Sequence, residues 1–332
     1  MNDSIKRNEL FNWYSFSKYR NQLFGIAIIL ILIFHSNNYI AYGSSRVIID
    51  RLNIGVEMFL FLSGMGLYFS YSKKPTYFQF EKKRFLTVGI VYLIASLPFC
   101  IWQNIVEHRS FLYFLFDLSS LSYWFKSENS PGWYVSLIFI LYLIYPLINR
   151  ILFGKEQNNK RLFTVTALIS VIFIIAIFYL SNNFIYWNFI ERAFTRIPVF
   201  IVGCCLGKLI FDRRKFNTVT YIFLFLCLVS TYFFGIYINF RLVFFLGVIP
   251  IMFLMITVLY FIDTICKIQF VNKILCFFGS ITLELYLVHN YISEVFLYYK
   301  LTKPLNYLLI IAVSVPISCL LSIVRKKVSS AN

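Results

Sequence analysis

The chain has 332 residues, of which 60% are hydrophobic, 20% aromatic and only 14% charged, with a mean hydropathy of +0.74. Soluble domains carry roughly 25% charged residues, so this composition excludes a water-soluble globular protein and fits a bilayer solvent. The formal net charge of +17 does not imply nucleic acid, because basic residues set between apolar runs report membrane orientation, and the seven cysteines, scattered mostly inside those runs without ligand spacing, read as small core hydrophobes and not as a disulfide framework or metal site.

The first segment, 1–21, carries Lys6, Arg7, Lys18 and Arg20 among polar and aromatic neighbours. It lacks the short apolar core and cleavage site of a signal peptide and reads as a cytoplasmic lead-in. A spanning helix needs about 20 mostly apolar residues. Ten such runs follow, at 22–42, 53–72, 84–105, 132–153, 162–180, 195–212, 219–238, 241–262, 276–298 and 307–324. With the N-terminus inside, 22 of the 31 Lys and Arg fall on inside segments, and every inside segment carries some. The positive-inside rule then puts both termini in the cytoplasm. The expected architecture is an all-α integral membrane protein with about ten transmembrane helices: one membrane domain over 22–324 and a cytoplasmic tail at 325–332. Residues 106–131 contain Phe111-Leu112-Tyr113-Phe114-Leu115-Phe116, too short to span, and read as an interfacial or a re-entrant segment.

Ionisable residues inside spanning runs are costly and normally face a cavity or a partner. They are His35, Glu57, Arg196, Glu284 and His289. His35 lies about seven residues from the outer end of the first run, roughly 10 Å below the boundary at about 1.5 Å per residue. Glu57 enters the second run from the same side, so a carboxylate is expected beside the imidazole; a hydrogen bond of purely structural value, or a Glu reaching the interface, is the alternative. On the ninth run Ser280, Glu284 and Val288 fall on one stripe, and Tyr286 and His289 are neighbours at i, i+3. That stripe lines a cavity or makes helix-to-helix hydrogen bonds, with Arg196 as an ion-pair candidate for Glu284. Lys82-Lys83-Arg84 before the third run reads as a topology anchor touching anionic lipid, or as a phosphate site.

The order of these features resembles a known family. Gly25-Ile26-Ala27-Ile28 running to His35, then Gly55-Val56-Glu57-Met58-Phe59-Leu60-Phe61-Leu62-Ser63-Gly64, is similar to the opening of the bacterial membrane-bound acyltransferase family 3. The similarity continues at Lys83-Arg84-Phe85, at Gly132-Trp133-Tyr134-Val135 to Tyr145-Pro146, at Arg196-Ile197-Pro198-Val199-Phe200-Ile201-Val202-Gly203, and at Gly279-Ser280 to Leu285-Tyr286-Leu287-Val288-His289. The resemblance implies ten helices with both termini inside, in the bacterial cell membrane. It also implies transfer of an acyl group, usually acetyl from cytoplasmic acetyl-CoA, to a hydroxyl of a surface polysaccharide or lipid-linked glycan, with no metal. His35 matches the family's essential histidine, and Lys83 and Arg84 match its basic donor motif. The family commonly has an arginine eleven residues before that histidine, where this chain has Phe24 and Arg20 stands one turn earlier. It often has aspartate where this chain has Glu57. Both departures suit a branch serving capsule or exopolysaccharide. Some relatives carry a hydrolase-like extracytoplasmic domain after the last helix, and none follows here, so the chain is expected to complete transfer alone or with a separate partner.

A sugar hydroxyl needs a base to attack a thioester, and His35 suits that role, with Glu57 orienting its ring. A route through a transient acyl-histidine is equally open. Arg20, Lys83 and Arg84 are the expected donor contacts, and Trp133, Arg196, Glu284, Tyr286 and His289 the expected acceptor contacts; Trp133 also suits the interfacial aromatic belt. A transporter or flippase for a lipid-linked glycan is the competing class, opposed by the lack of paired broken helices in two halves. A polysaccharide polymerase is a third, opposed by short outer loops.

Overall fold

The computed structural model describes residues 12–125, 131–154, 159–183, 187–237, 242–264 and 266–330. Lys6, Arg7, Lys126, Lys155 and Arg241 of the charge count lie outside the described residues. Eleven main helices carry the fold: α1 (Arg20–His35), α2 (Ile54–Tyr71), α3 (Tyr77–Val106), α4 (Trp133–Phe153), α5 (Asn159–Asn183), α6 (Ile197–Phe211), α7 (Thr218–Tyr237), α8 (Leu242–Thr264), α9 (Gln269–Ser280), α10 (Thr282–Tyr298) and α11 (Pro304–Ser330). In lipid every backbone polar group must be satisfied within the chain, and these apolar runs solve that by helix formation. Among the described residues eight helices are long and apolar enough to span, or nine if α9 and α10 count as one bent span. The run at 219–238 falls on α7, within which Thr220–Val229 is a shorter apolar helix. The protein is an all-α multipass membrane protein.

Helices α2 and α6 form the centre. Their apolar windows are 72% and 78% buried, against 22% for α5, whose Leu168, Ile172, Ile175 and Phe178 face outward. Lipid is as apolar as a side chain, so helices in it associate through close packing and small residues. Gly64 of α2 lies against the backbone of Phe200, and Gly203 of α6 against the backbone of Phe61; neither leaves room for a Cβ. Gly25 of α1 and Gly279 of α9 bring those two helices together in the same way.

The ninth apolar run departs from expectation. It is expected as one helix, but α9 and α10 meet at Ile281 with a bend of 68°. The freed carbonyls find local partners: Thr282 Oγ1 donates to Phe278 O (2.9 Å) and Gly279 O (3.0 Å), and Arg325 Nη2 donates to Ser280 O (2.8 Å). The break separates Ser280 from Glu284, so the stripe expected to join them does not exist.

Of the stretch at 106–131, residues 126–130 lie outside the described residues. Phe111–Leu118 is a surface helix with Phe111, Leu112 and Leu115 exposed, steadied by Arg109 between Glu107 (2.5 Å) and Asp117 (3.2 Å). The lead-in before α1 is docked from residue 12 onward. Asn12 pairs with Lys215, Trp13 N–H donates to Arg214 O (2.9 Å), and the Trp13 ring meets Phe216 edge-on at 4.9 Å. The start of α1 and the end of α6 therefore share one end of the bundle.

Candidate active site

A cavity of about 1160 Å³ enters the bundle at that end. Its lining follows α2 from Phe59 to Ser70, about 16 Å at 1.5 Å per residue, and α4 along Tyr134, Ile138 and Tyr142 at i, i+4 and i+8. Among the described lining residues Lys18, Arg20, Lys73, Lys83, Arg84, Arg325 and Lys326 are basic and none is acidic. Arg20 arches over the Phe24 ring at 4.8 Å and donates to Leu62 O at 3.4 Å. The absence of a side chain at Gly66 gives its guanidinium room. Arg84 donates to Ser70 Oγ at 2.5 Å and sits over the Phe80 and Tyr142 rings. Directly after it the helix widens into a π turn over Phe85–Gly89, a local irregularity that helices often carry at functional sites. Arg20 Nε and Arg84 Nε are buried and make no protein hydrogen bond.

The inner end of the cavity is walled by Tyr134 and Tyr286, whose rings meet at 5.3 Å. One turn further along α10 stands His289, its ring 6.0 Å from that of Tyr286. His289 is fully buried, and its Nε2 lies 2.8 Å from Nδ1 of the partly exposed His35. Nδ1 of His289 lies 2.6 Å from Leu285 O, the carbonyl one turn back. The end of α1 is fastened on both sides of His35. Tyr307 of α11 donates its hydroxyl to Leu32 O, and Tyr39 donates to Ser293 O (3.1 Å) of α10.

The expected carboxylate beside His35 is not Glu57. Glu57 is 1% exposed and pairs with Arg196, which is 2% exposed, at 2.8 Å. The Arg196 guanidinium lies under Trp133 at 5.0 Å and donates to Arg192 O at 2.7 Å. A charge buried in hydrocarbon must find its opposite, and the neighbouring central helix supplies it: Arg196, the residue just before α6, stands beside Glu57 in the first turn of α2. This also corrects the expected Glu284–Arg196 pair. Glu284 is fully buried and pairs with Arg325 of α11 at 3.0 Å.

The structure thus places Arg20, Lys83, Arg84 and Tyr286 around one cavity, and His35 with His289 just beyond its inner end. Glu57 and Arg196 form a buried pair beside the half-buried Trp133, behind the Tyr134 wall of the cavity, and Glu284 holds Arg325 at the cavity wall. Lys18, Lys73, Arg325 and Lys326 were not singled out from the sequence. They stand in basic runs that the positive-inside rule explains already, which hides any second use. The helix break could have been read from Gly279-Ser280, with Thr282 two residues on.

The family model described as an acyltransferase domain, acyltransferase family 3, matches residues 22–323. Searches of curated proteins and of solved structures found no match. The match takes in the histidine pair and, of the basic cavity residues, Lys73, Lys83 and Arg84, while Lys18, Arg20, Arg325 and Lys326 flank it on either side. This chain belongs to acyltransferase family 3 and is a multipass membrane acyltransferase.

Proposed function

We propose that the protein moves an acyl group, most simply acetyl, from cytoplasmic acyl-CoA to a hydroxyl of a cell-surface or exported polysaccharide, in the bacterial cytoplasmic membrane. The observation that carries this reading is the cavity: large, basic without a lining acid among the described residues, and ending one turn from the histidine pair. Acyl-CoA carries a diphosphate and a 3′-phosphate at one end and its thioester at the other. Lys83, Arg84, Arg20 and Lys73 suit the phosphates, through charge-assisted hydrogen bonds that are roughly twice as strong as neutral ones. The aromatic inner stretch of Phe24, Phe59 and Tyr134 suits the less polar arm.

In this reading His35 takes the proton of an acceptor hydroxyl as that oxygen attacks the acyl carbon. The carbon–sulfur bond breaks, and the thiolate leaves with the proton that His35 returns. Lys83 and Arg84 hold the donor so that the thioester reaches the inner end of the cavity, and Tyr134 and Tyr286 restrict water there. In this reading the acceptor hydroxyl reaches His35 from the face opposite the basic mouth, beyond the inner end of the cavity.

The test is transfer of radiolabelled acetyl from acetyl-CoA to envelope carbohydrate in membranes containing either wild type or His35→Ala at equal abundance. Base-labile label in the wild type, reduced ~10²–10⁴-fold in the variant, is the result expected for loss of a general base. Equal labelling by the two membranes overturns the role of His35. Absence of label from both, in cells whose glycan acylation does not depend on this protein, overturns the substrate assignment.

A further inference from the structure

We propose that His289 is a positioning residue that fixes the tautomer of His35 and so selects Nε2 of His35 as the basic nitrogen. The inference rests on the reading of His35 as the base and names the group that makes it one.

The argument is one of donors and acceptors. A carbonyl oxygen only accepts, so the 2.6 Å contact between His289 Nδ1 and Leu285 O requires the proton on that nitrogen. A neutral imidazole has one N–H, so Nε2 of His289 carries a lone pair. The 2.8 Å contact from His289 Nε2 to His35 Nδ1 then requires the proton on His35 Nδ1. Nε2 of His35 is left unprotonated and free of the pair. This is the opposite of the tautomer that a histidine side chain prefers in water, and a helix carbonyl one turn below His289 dictates it through two rings.

The surroundings are built to keep that register. His289 is fully buried, and Ser293 one turn further on α10 bonds Tyr39, which follows α1. Tyr307 holds Leu32 O, one turn before His35. The rings packed around the pair are Phe34 at 5.2 Å and Tyr286 at 6.0 Å, and the Arg192 charge acts on His35 and opposes a further proton there. In the transfer step Nε2 of His35 accepts the hydroxyl proton while Nδ1–H stays bonded to His289. The thiolate then removes the Nε2 proton, and both rings return to their starting tautomers with protons and electrons balanced. A proton added to the pair beforehand places N–H on Nε2 of His35 or leaves two N–H groups facing each other, so the resting pair must be neutral.

The chain has three histidines, and the third, His108, stands in the loop after α3. In His108→Gln protein labelled with ¹⁵N-histidine and reconstituted in lipid, the ring-nitrogen signals come from the pair alone. Both rings are expected as Nδ1–H, with His35 moving to Nε2–H in His289→Ala. Finding His35 as Nε2–H in the parent overturns the proposal, whether or not transfer activity is found. In the transfer assay His289→Ala is expected to lower kcat at least tenfold with the KM for acetyl-CoA within twofold of wild type. His289→Gln, whose Oε1 can accept from His35 Nδ1 at the place of the lost Nε2, is expected to recover most of it. Equal loss in both variants, with unchanged elution on size exclusion, marks His289 as packing only. Absence of transfer in the parent, with the Nδ1–H signals present, overturns the acyltransfer reading of the site and leaves the tautomer assignment standing.

Discussion

Replacing Lys83 by alanine is expected to raise the KM for acyl-CoA about 10- to 100-fold with kcat little changed, the range for losing one hydrogen bond to a charged group, about 1.5–3 kcal/mol. Steady-state kinetics in membranes would read it, and unchanged KM would remove Lys83 from the donor site. Glu57 behaves differently. Breaking a buried pair strands its partner, so Glu57→Gln or Arg196→Met should cost about 3–5 kcal/mol of stability. Thermal unfolding in detergent would show that loss, and replacing both together should recover part of it. A Glu57→Gln protein with normal stability and low kcat would return Glu57 to the chemistry. At this scale the sequence exposed the residues better than their pairings. His35, Glu57, Arg196, Glu284 and His289 stand out because charge inside apolar runs is rare. Their partners, however, come from helices far away in the chain: His35 and His289 are separated by 254 positions, and spacing carries no information over that distance. At the Phe24 departure, Arg20 folds back over the Phe24 ring and lines the cavity.

The helices themselves were legible, because a bilayer admits few alternatives to a helix of spanning length. What apolar periodicity hides is where a helix breaks and which faces touch. The run around Ile281 is apolar enough overall to be taken for one span, yet the chain turns there by 68°, with α9 packed on α1 at Gly25 and Gly279 and α10 carrying His289 to His35. Thr282→Val removes the hydroxyl that satisfies two carbonyls at the turn and is expected to destabilise by about 1–3 kcal/mol. The same measurement on the centre of the bundle should show more. Gly203→Leu forces a side chain against the Phe61 backbone, where overpacking costs about 1–3 kcal/mol and often more, and the yield of monodisperse protein should fall with it. Unaltered yield and melting would mean that α2 and α6 are not in contact as described.

Across the whole molecule, basic groups from five separate stretches converge on one mouth: the lead-in, α1, the α2–α3 region, α3 and the end of α11. The sequence groups them on one side by charge bias, and the fold brings them to one cavity. Single cysteines at Lys73 and Lys326 are therefore expected to react with impermeant maleimide from the same face of sealed vesicles. A cysteine at Val47, exposed in the short helix Arg46–Arg51 at the other end of α2, is expected to react from the opposite face. Labelling of all three from one side would refute the arrangement of α1 and α2.

The fastening of the chain's beginning to its middle, and of α1 to α10, also sets an order of events during synthesis. Trp13 leaves the ribosome about 200 residues before Phe216, its ring partner, and His35 waits 254 residues for His289. At about 5–20 residues per second these intervals are on the order of 10–50 s. Throughout that time α1 sits in the membrane with its polar end unsatisfied by the chain that will finally hold it. A chain that stops short of α10 lacks the His35–His289 contact altogether, so on the proposed reading activity is expected only once α10 has been made.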